Sequence, residues 1–156
     1  MTPGIHAISK AGISHNIHEY EHDPASAGYG NEAAEKMGVD PARIFKTLVV
    51  TVDGKMLAVG VVPVTGMLSM KLIAKAAGGK KASIADPQEV QRRTGYVLGG
   101  VSPLGQKNRL KTFIDISSEV FDTIYVSAGR RGLEIELSPE DLARLTGGQL
   151  VPLQQE

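Results

Sequence analysis

The residues best suited to chemistry sit in Gly95–Lys111, which with Thr94 reads T-G-Y-V-L-G-G-V-S-P-L-G-Q-K-N-R-L-K. Glycine reaches φ > 0 and lets a ligand approach the backbone, so four glycines here suit main chain shaped around a ligand. The same composition also suits a plain connector between two elements. Gly100–Lys107 falls one residue short of a phosphate-binding Walker loop, which would need Lys at 106 and Ser or Thr at 107. Ser102 precedes a proline and lacks the G-x-S-x-G elbow of a nucleophilic serine. His15, His18 and His22 would align for a metal only on a helix, whereas Pro24 and Gly12 bracket a strand that puts His18, Tyr20 and His22 on one face. Gly28–Ala33 fits G-x-G-x-x-A, but it follows D-P-A-S-A rather than a buried strand, so it reads as a loop entering a helix with Asn31 as its cap. What remains is a glycine-rich backbone, Lys46 at the start of an apolar strand, and scattered basic pairs. That set suits binding of phosphate or ribose by charge, with main-chain N–H groups steadying an oxyanion.

These residues must be positioned by the elements around them. Thr2-Pro3 caps an opening helix that runs to Gly12. Phe45–Val52, rich in β-branched residues, is the strongest strand, and Asp53-Gly54 turns it into a second strand over Lys55–Val62. Both strands are apolar with little alternation, which predicts cover on both faces and places Lys46 at a strand end. Ser69 caps one helix, Asp86-Pro87-Gln88-Glu89 opens another that closes near Gly95, and Ser138-Pro139 opens the last. Tyr96–Leu98, Leu110–Ile116, Asp122–Val126 and Leu133–Leu137 read as further strands. Hairpins mixed with crossovers predict an α+β fold with a mixed, curved sheet.

With 156 residues and no repeat or linker, the chain reads as one domain over 1–156. It has no cysteine, which excludes disulfides, thiolate metal sites and a cysteine nucleophile. No apolar run approaches a membrane span, and the N-terminus has no signal-peptide pattern, so a cytoplasmic location is expected. Lys plus Arg equals Asp plus Glu at 17 each, so no global field draws the chain to nucleic acid. Binding of that kind would rest on local pairs such as Lys80-Lys81, Arg92-Arg93 and Arg130-Arg131.

F-K-T-L-V-V at Phe45–Val50, G-Y-V-L-G-G-V-S-P-L-G-Q-K at Gly95–Lys107 and I-Y-V-S-A-G-R-R-G at Ile124–Gly132 resemble the YbaK family, bacterial deacylases that clear Cys-tRNA(Pro). The family also includes the editing insertion of bacterial prolyl-tRNA synthetases. M-T-P at the start and H-E-Y-E-H-D-P at His18–Pro24 agree as well. The resemblance implies a barrel-like mixed sheet flanked by helices, no metal or other cofactor, and a pocket for the aminoacylated 3′ end of tRNA. It makes Lys46 the essential lysine, engaging the terminal adenosine or its phosphate. Gly99, Gly100 and Val101 would offer backbone donors to the ester carbonyl. Tyr20 would lie near the pocket, Ser102, Pro103 and Ser127 would shape it, and Glu134 is a further candidate. In Cys-specific members the substrate's own thiol attacks its carbonyl, so no protein nucleophile is implied. Ala128 stands where the usual V-S-G-G turn has glycine. The resemblance implies a tRNA partner, with prolyl-tRNA synthetase as a possible second one, and neither membrane nor DNA. Editing of another residue such as alanine, or a non-catalytic module for tRNA ends, remain open alternatives.

Overall fold

Local sequence signals set most helix boundaries. In the computed structural model, which describes residues 1–26 and 28–156, α1 (Pro3–Ala11) begins where Thr2 Oγ1 accepts the Ile5 N–H and ends at left-handed Gly12. Ser69 opens α3 (Met70–Ala76), Asp86 opens α4 (Pro87–Thr94) and Ser138 opens α5 (Pro139–Thr146), each side chain accepting a backbone N–H three residues on. The exception is α2 (Tyr29–Met37). It starts two residues before Asn31, and Gly28 at its N-cap position provides no side-chain cap. No helix among the described residues is long and apolar enough to cross a membrane.

The strands form two sheets. β2 (Phe45–Val52) and β3 (Met56–Pro63) are the antiparallel hairpin expected, turned by Asp53 and Gly54 at φ 54° and 66°. β4 (Ala82–Ile84) adds antiparallel to the far half of β2, while β5 (Lys111–Asp115) and β8 (Gln149–Val151) add parallel beyond β3. The order is β4-β2-β3-β5-β8, a mixed sheet. A second sheet, wholly antiparallel, has the order β1-β7-β6, from β1 (Asn16–Glu19), β7 (Leu133–Leu137) and β6 (Ile124–Arg130). One parallel bridge between Ile44 and Tyr125 joins the sheets just before β2. The result is an α+β fold of two sheets touching at a corner, and the described pairings do not close a barrel.

Cover on both faces of the hairpin is as expected. Val59 and Val61 of β3 pack with Phe45, Ile114, Val126, Ile135 and Leu142 in the core between the sheets. Ala58 and Val62 point the other way, onto Leu68, Ile73, Phe113 and Leu153. Burial of each large aliphatic side chain stabilises by ~1.5–3 kcal/mol, so this hairpin is the rigid base from which Lys46 projects.

Tyr96–Leu98 is not a strand. After Gly95 ends α4 at φ 84°, the Tyr96 side chain turns inward and its hydroxyl donates to the Leu104 carbonyl at 2.7 Å. Val97 and Leu98 are exposed, and the Gly100 N–H donates back to the Val97 carbonyl at 3.0 Å, closing a turn. A segment folded on itself in this way presents no edge to a neighbouring strand.

Candidate active site

At the corner where the sheets part, β2 and β6 splay and leave a cavity of about 380 Å³. One side comes from the start of β2, through Lys46, Thr47 and Leu48, with Ser127 of β6. The turn after α4 adds Leu98, Gly99 and Val101, and the first turn of α2 with the preceding Gly28 completes the wall beside Val64. The approach of α2 depends on Gly30, because a Cβ there would lie 2.5 Å from the Cβ of Val64.

Lys46 is half-buried, and burial lowers the pKa of its ammonium. Among the described residues no carboxylate lies within ion-pair distance of it. A cation without a partner beside the N-terminus of α2 gives the cavity positive character, suited to a phosphate or a developing oxyanion. Gly99 sits in the left-handed region at φ 87°, exposed, with open space where a side chain would be. Among the described residues the N–H groups of Gly99 and Val101 have no backbone partner.

The nine sequence-derived residues divide into three groups. Lys46, Gly99, Val101 and Ser127 share the cavity. Gly100, Ser102 and Pro103 lie behind or beside it. Gly100 spends its N–H within the turn and packs on the backbone of Gly129 and Arg130, where a Cβ would meet the Arg130 Cα at 3.1 Å. Ser102 is wholly buried, its Oγ accepting the Leu104 N–H at 3.2 Å and its carbonyl accepting from Gln106 Nε2 at 3.0 Å. Pro103 lines a separate cavity of about 180 Å³ with Leu104 and Arg109.

Tyr20 and Glu134 form the third group, outside the cavity lining, with Glu134 linked to it through Tyr29. Glu134 lies in β7 between His18 of β1 and Ser127 of β6, and is wholly buried. Burial raises its carboxyl to about 8, against the lowering effects of a hydrogen bond from Tyr29 and of the Arg131 charge. It is therefore largely protonated at neutral pH. Tyr29, which lines the cavity, donates its hydroxyl to Glu134 Oε1 at 2.5 Å. Glu134 Oε2 and the Tyr20 hydroxyl are buried without a partner. Beside them Glu32 is buried too, but it accepts from Arg131 at 3.1 Å and from the Asp23 N–H at 2.7 Å, and His22 Nδ1 lies 2.7 Å away. Burial raises its pKa, the three hydrogen bonds outweigh that, and it is held down at about 2.

Sequence reasoning missed Tyr29, Thr47 and Val64. Tyr29 lay inside G-Y-G-N, a pattern set aside as a failed dinucleotide fingerprint, and its glycines serve a helix start against Val64 instead. The three histidines also part company: His15 Nδ1 meets the Ile13 carbonyl at 2.6 Å, His18 Nε2 meets Glu136 at 2.8 Å, and His22 meets Glu32.

The site thus sets an unpaired lysine at a strand end beside a glycine turn. Residues 24–145 match the family described as the aminoacyl-tRNA editing domain. The chain belongs to the aminoacyl-tRNA editing domain family. A proposed Cys-tRNA(Pro)/Cys-tRNA(Cys) deacylase of Enterococcus faecalis, EbsC, is 39% identical over 120 residues, covering 77% of this chain and 73% of that protein. A multifunctional Ser/Thr-tRNA deacylase of Escherichia coli, ProXp-y, is 35% identical over 80 residues, covering 51% of this chain and 48% of that one. The crystal structure of a proposed trans-editing enzyme for prolyl-tRNA synthetase superposes with a TM-score of 0.86 at 25% identity, over 99% of this chain and 96% of that one. The matched region of the editing family contains the whole cavity, from Gly28 to Ser127.

Proposed function

We infer that this chain, an aminoacyl-tRNA deacylase by family, acts in trans as one editing unit over residues 1–156 to remove mischarged cysteine from Cys-tRNA(Pro). The observation that carries the reading is the unpaired, half-buried Lys46 in one cavity with Gly99 and Val101. The ammonium engages the terminal adenosine or its phosphate, and the N–H groups of Gly99 and Val101 take the negative charge that grows on the ester oxygen. Gly100 acts indirectly, since its N–H shapes the turn that presents its neighbours.

The cysteine thiol then attacks its own carbonyl carbon. The S–C bond forms, the ester C–O bond breaks, the thiol proton ends on the departing ribose 3′ oxygen, and water opens the small thioester ring afterwards. Such a route suits a cavity lined by Lys46, Thr47 and Ser127, with no serine–histidine pair among the described residues that line it. Substrate selection of this kind answers a physical need, because packing differences of about one methylene give a synthetase only ~1–3 kcal/mol of discrimination. With no net charge, the chain relies on prolyl-tRNA synthetase to present the tRNA.

A second reading, an ester of another small residue such as alanine or serine, is favoured by the similarity to ProXp-y. Deacylation of Cys-tRNA(Pro) and Ser-tRNA(Pro) by the same preparation separates the two. The thiol route predicts cysteine release at least a hundredfold faster than serine release, accelerated at limiting tRNA by added synthetase. Equal rates on both esters exclude thiol assistance, and indifference to the synthetase excludes the partnership.

A further inference from the structure

Tyr29 is held in place more firmly than a residue that merely fills a cavity wall requires. Its backbone begins α2, whose seat is fixed by the contact of Gly30 with Val64. Its hydroxyl is tethered to Glu134, which is anchored in the middle strand of a sheet. The Arg131 guanidinium lies 5.9 Å from the ring centroid and is itself fixed by Glu32. A tyrosine with free χ1 and χ2 yields to a larger ligand, whereas one pinned at both ends and over its face excludes it.

We propose that Tyr29, pinned through Glu134, is the wall that limits the amino-acid end of the cavity to small side chains, those of alanine, serine and cysteine. Tyr29 is the specificity-determining residue and Glu134 a positioning residue acting through it. The inference rests on the reading of the cavity as an aminoacyl pocket. It also assigns a role to the hydrogen bond from Tyr29, a cavity-lining residue, to the buried Glu134 carboxyl, which the deacylation chemistry leaves unused.

Binding of stable amide-linked 3′-aminoacylamino-adenosines carrying alanine, cysteine or leucine, followed by calorimetry with the full chain, tests this independently of turnover. Wild type is expected to bind the alanyl and cysteinyl compounds at least tenfold more tightly than the leucyl one. In Tyr29→Ala the ratio should fall to about twofold. In Tyr29→Phe, which keeps the ring and loses the tether, it should fall at least threefold. Glu134→Gln retains a carbonyl oxygen for the tyrosine hydroxyl and should preserve the ratio, while Glu134→Leu should relax it as Tyr29→Phe does. An unchanged ratio in a folded Tyr29→Ala, or in Tyr29→Phe where the alanine variant does not fold, overturns the inference, as does equal binding of all three compounds by wild type. Selective binding without hydrolysis of any matching ester would overturn the deacylase reading and leave the role of Tyr29 standing. No binding of any compound would overturn both.

Discussion

Glu134 shows how burial alone can set the state of a residue. Its carboxyl titrates near 8 in the fold and near the ordinary 4.5 when unfolded, so between those pH values the unfolded chain has lost a proton that the native state keeps. Stability from this group is complete below about 4.5 and drains away as pH rises toward 8, at up to ~1.4 kcal/mol per pH unit. Glu134→Gln cannot ionise, so its unfolding free energy, measured by urea titration from pH 5 to 8, should fall less steeply than that of wild type and exceed it at the upper end. Parallel curves for the two proteins would show that the carboxyl is ionised in the fold. Lys46 is the contrasting case. Burial lowers its pKa, yet the group sits at the cavity with no ion-paired acid among the described residues.

At the scale of elements, the segment from Gly95 to Gly105 combines a site and a scaffold. Gly99 and Gly105 both have positive φ, 87° and 68°. A Cβ on Gly99 meets nothing, whereas one on Gly105 would lie 2.3 Å from the Pro3 carbonyl oxygen at the start of α1. Gly99→Ala should therefore cost only about 1 kcal/mol of strain while reducing deacylation sharply, as the turn's N–H groups shift. Gly105→Ala should lower the melting temperature markedly, since backbone atoms have to move. Thermal melts and rates measured on both variants check the division, and a melt for Gly105→Ala equal to that of Gly99→Ala would contradict it. The resemblance had singled out Gly99 and not Gly105, but the contact of Gly105 with the start of α1 could not be read from a glycine run. The helices were legible because their caps are local: Thr2, Ser69, Asp86 and Ser138 each act within three residues. β2 and β3 were legible from composition. β8 was not, because three residues carry no periodicity and its place depends on pairing with β5 from far along the chain. Tyr96–Leu98 carried strand-like side chains but met no neighbouring edge. Lys46 was a candidate from motif and position, whereas Tyr29 became visible only once α2 was seen to begin at the cavity.

At the scale of the whole molecule, the corner between two sheets holds the cavity that lines up Lys46, Gly99 and Ser127. Parting at the Ile44–Tyr125 bridge leaves the start of β2 uncovered by β4, which pairs only with Val50–Val52. Lys46 consequently stands on a strand that is rigid in its middle and open at its end, the arrangement that precise placement of a charged group demands. Of the basic pairs noted in the sequence, the arginines meet acids: Arg131 pairs with Glu32, Arg130 with Glu19, and Arg92 and Arg93 with Glu89. The most direct test is the single-turnover rate of Cys-tRNA(Pro) deacylation by wild type and by Lys46→Ala, with circular dichroism confirming that both are folded. The account predicts cysteine release by wild type and a loss of about a hundredfold or more in the variant. An ester left intact by wild type, or equal rates for the two proteins, would contradict it.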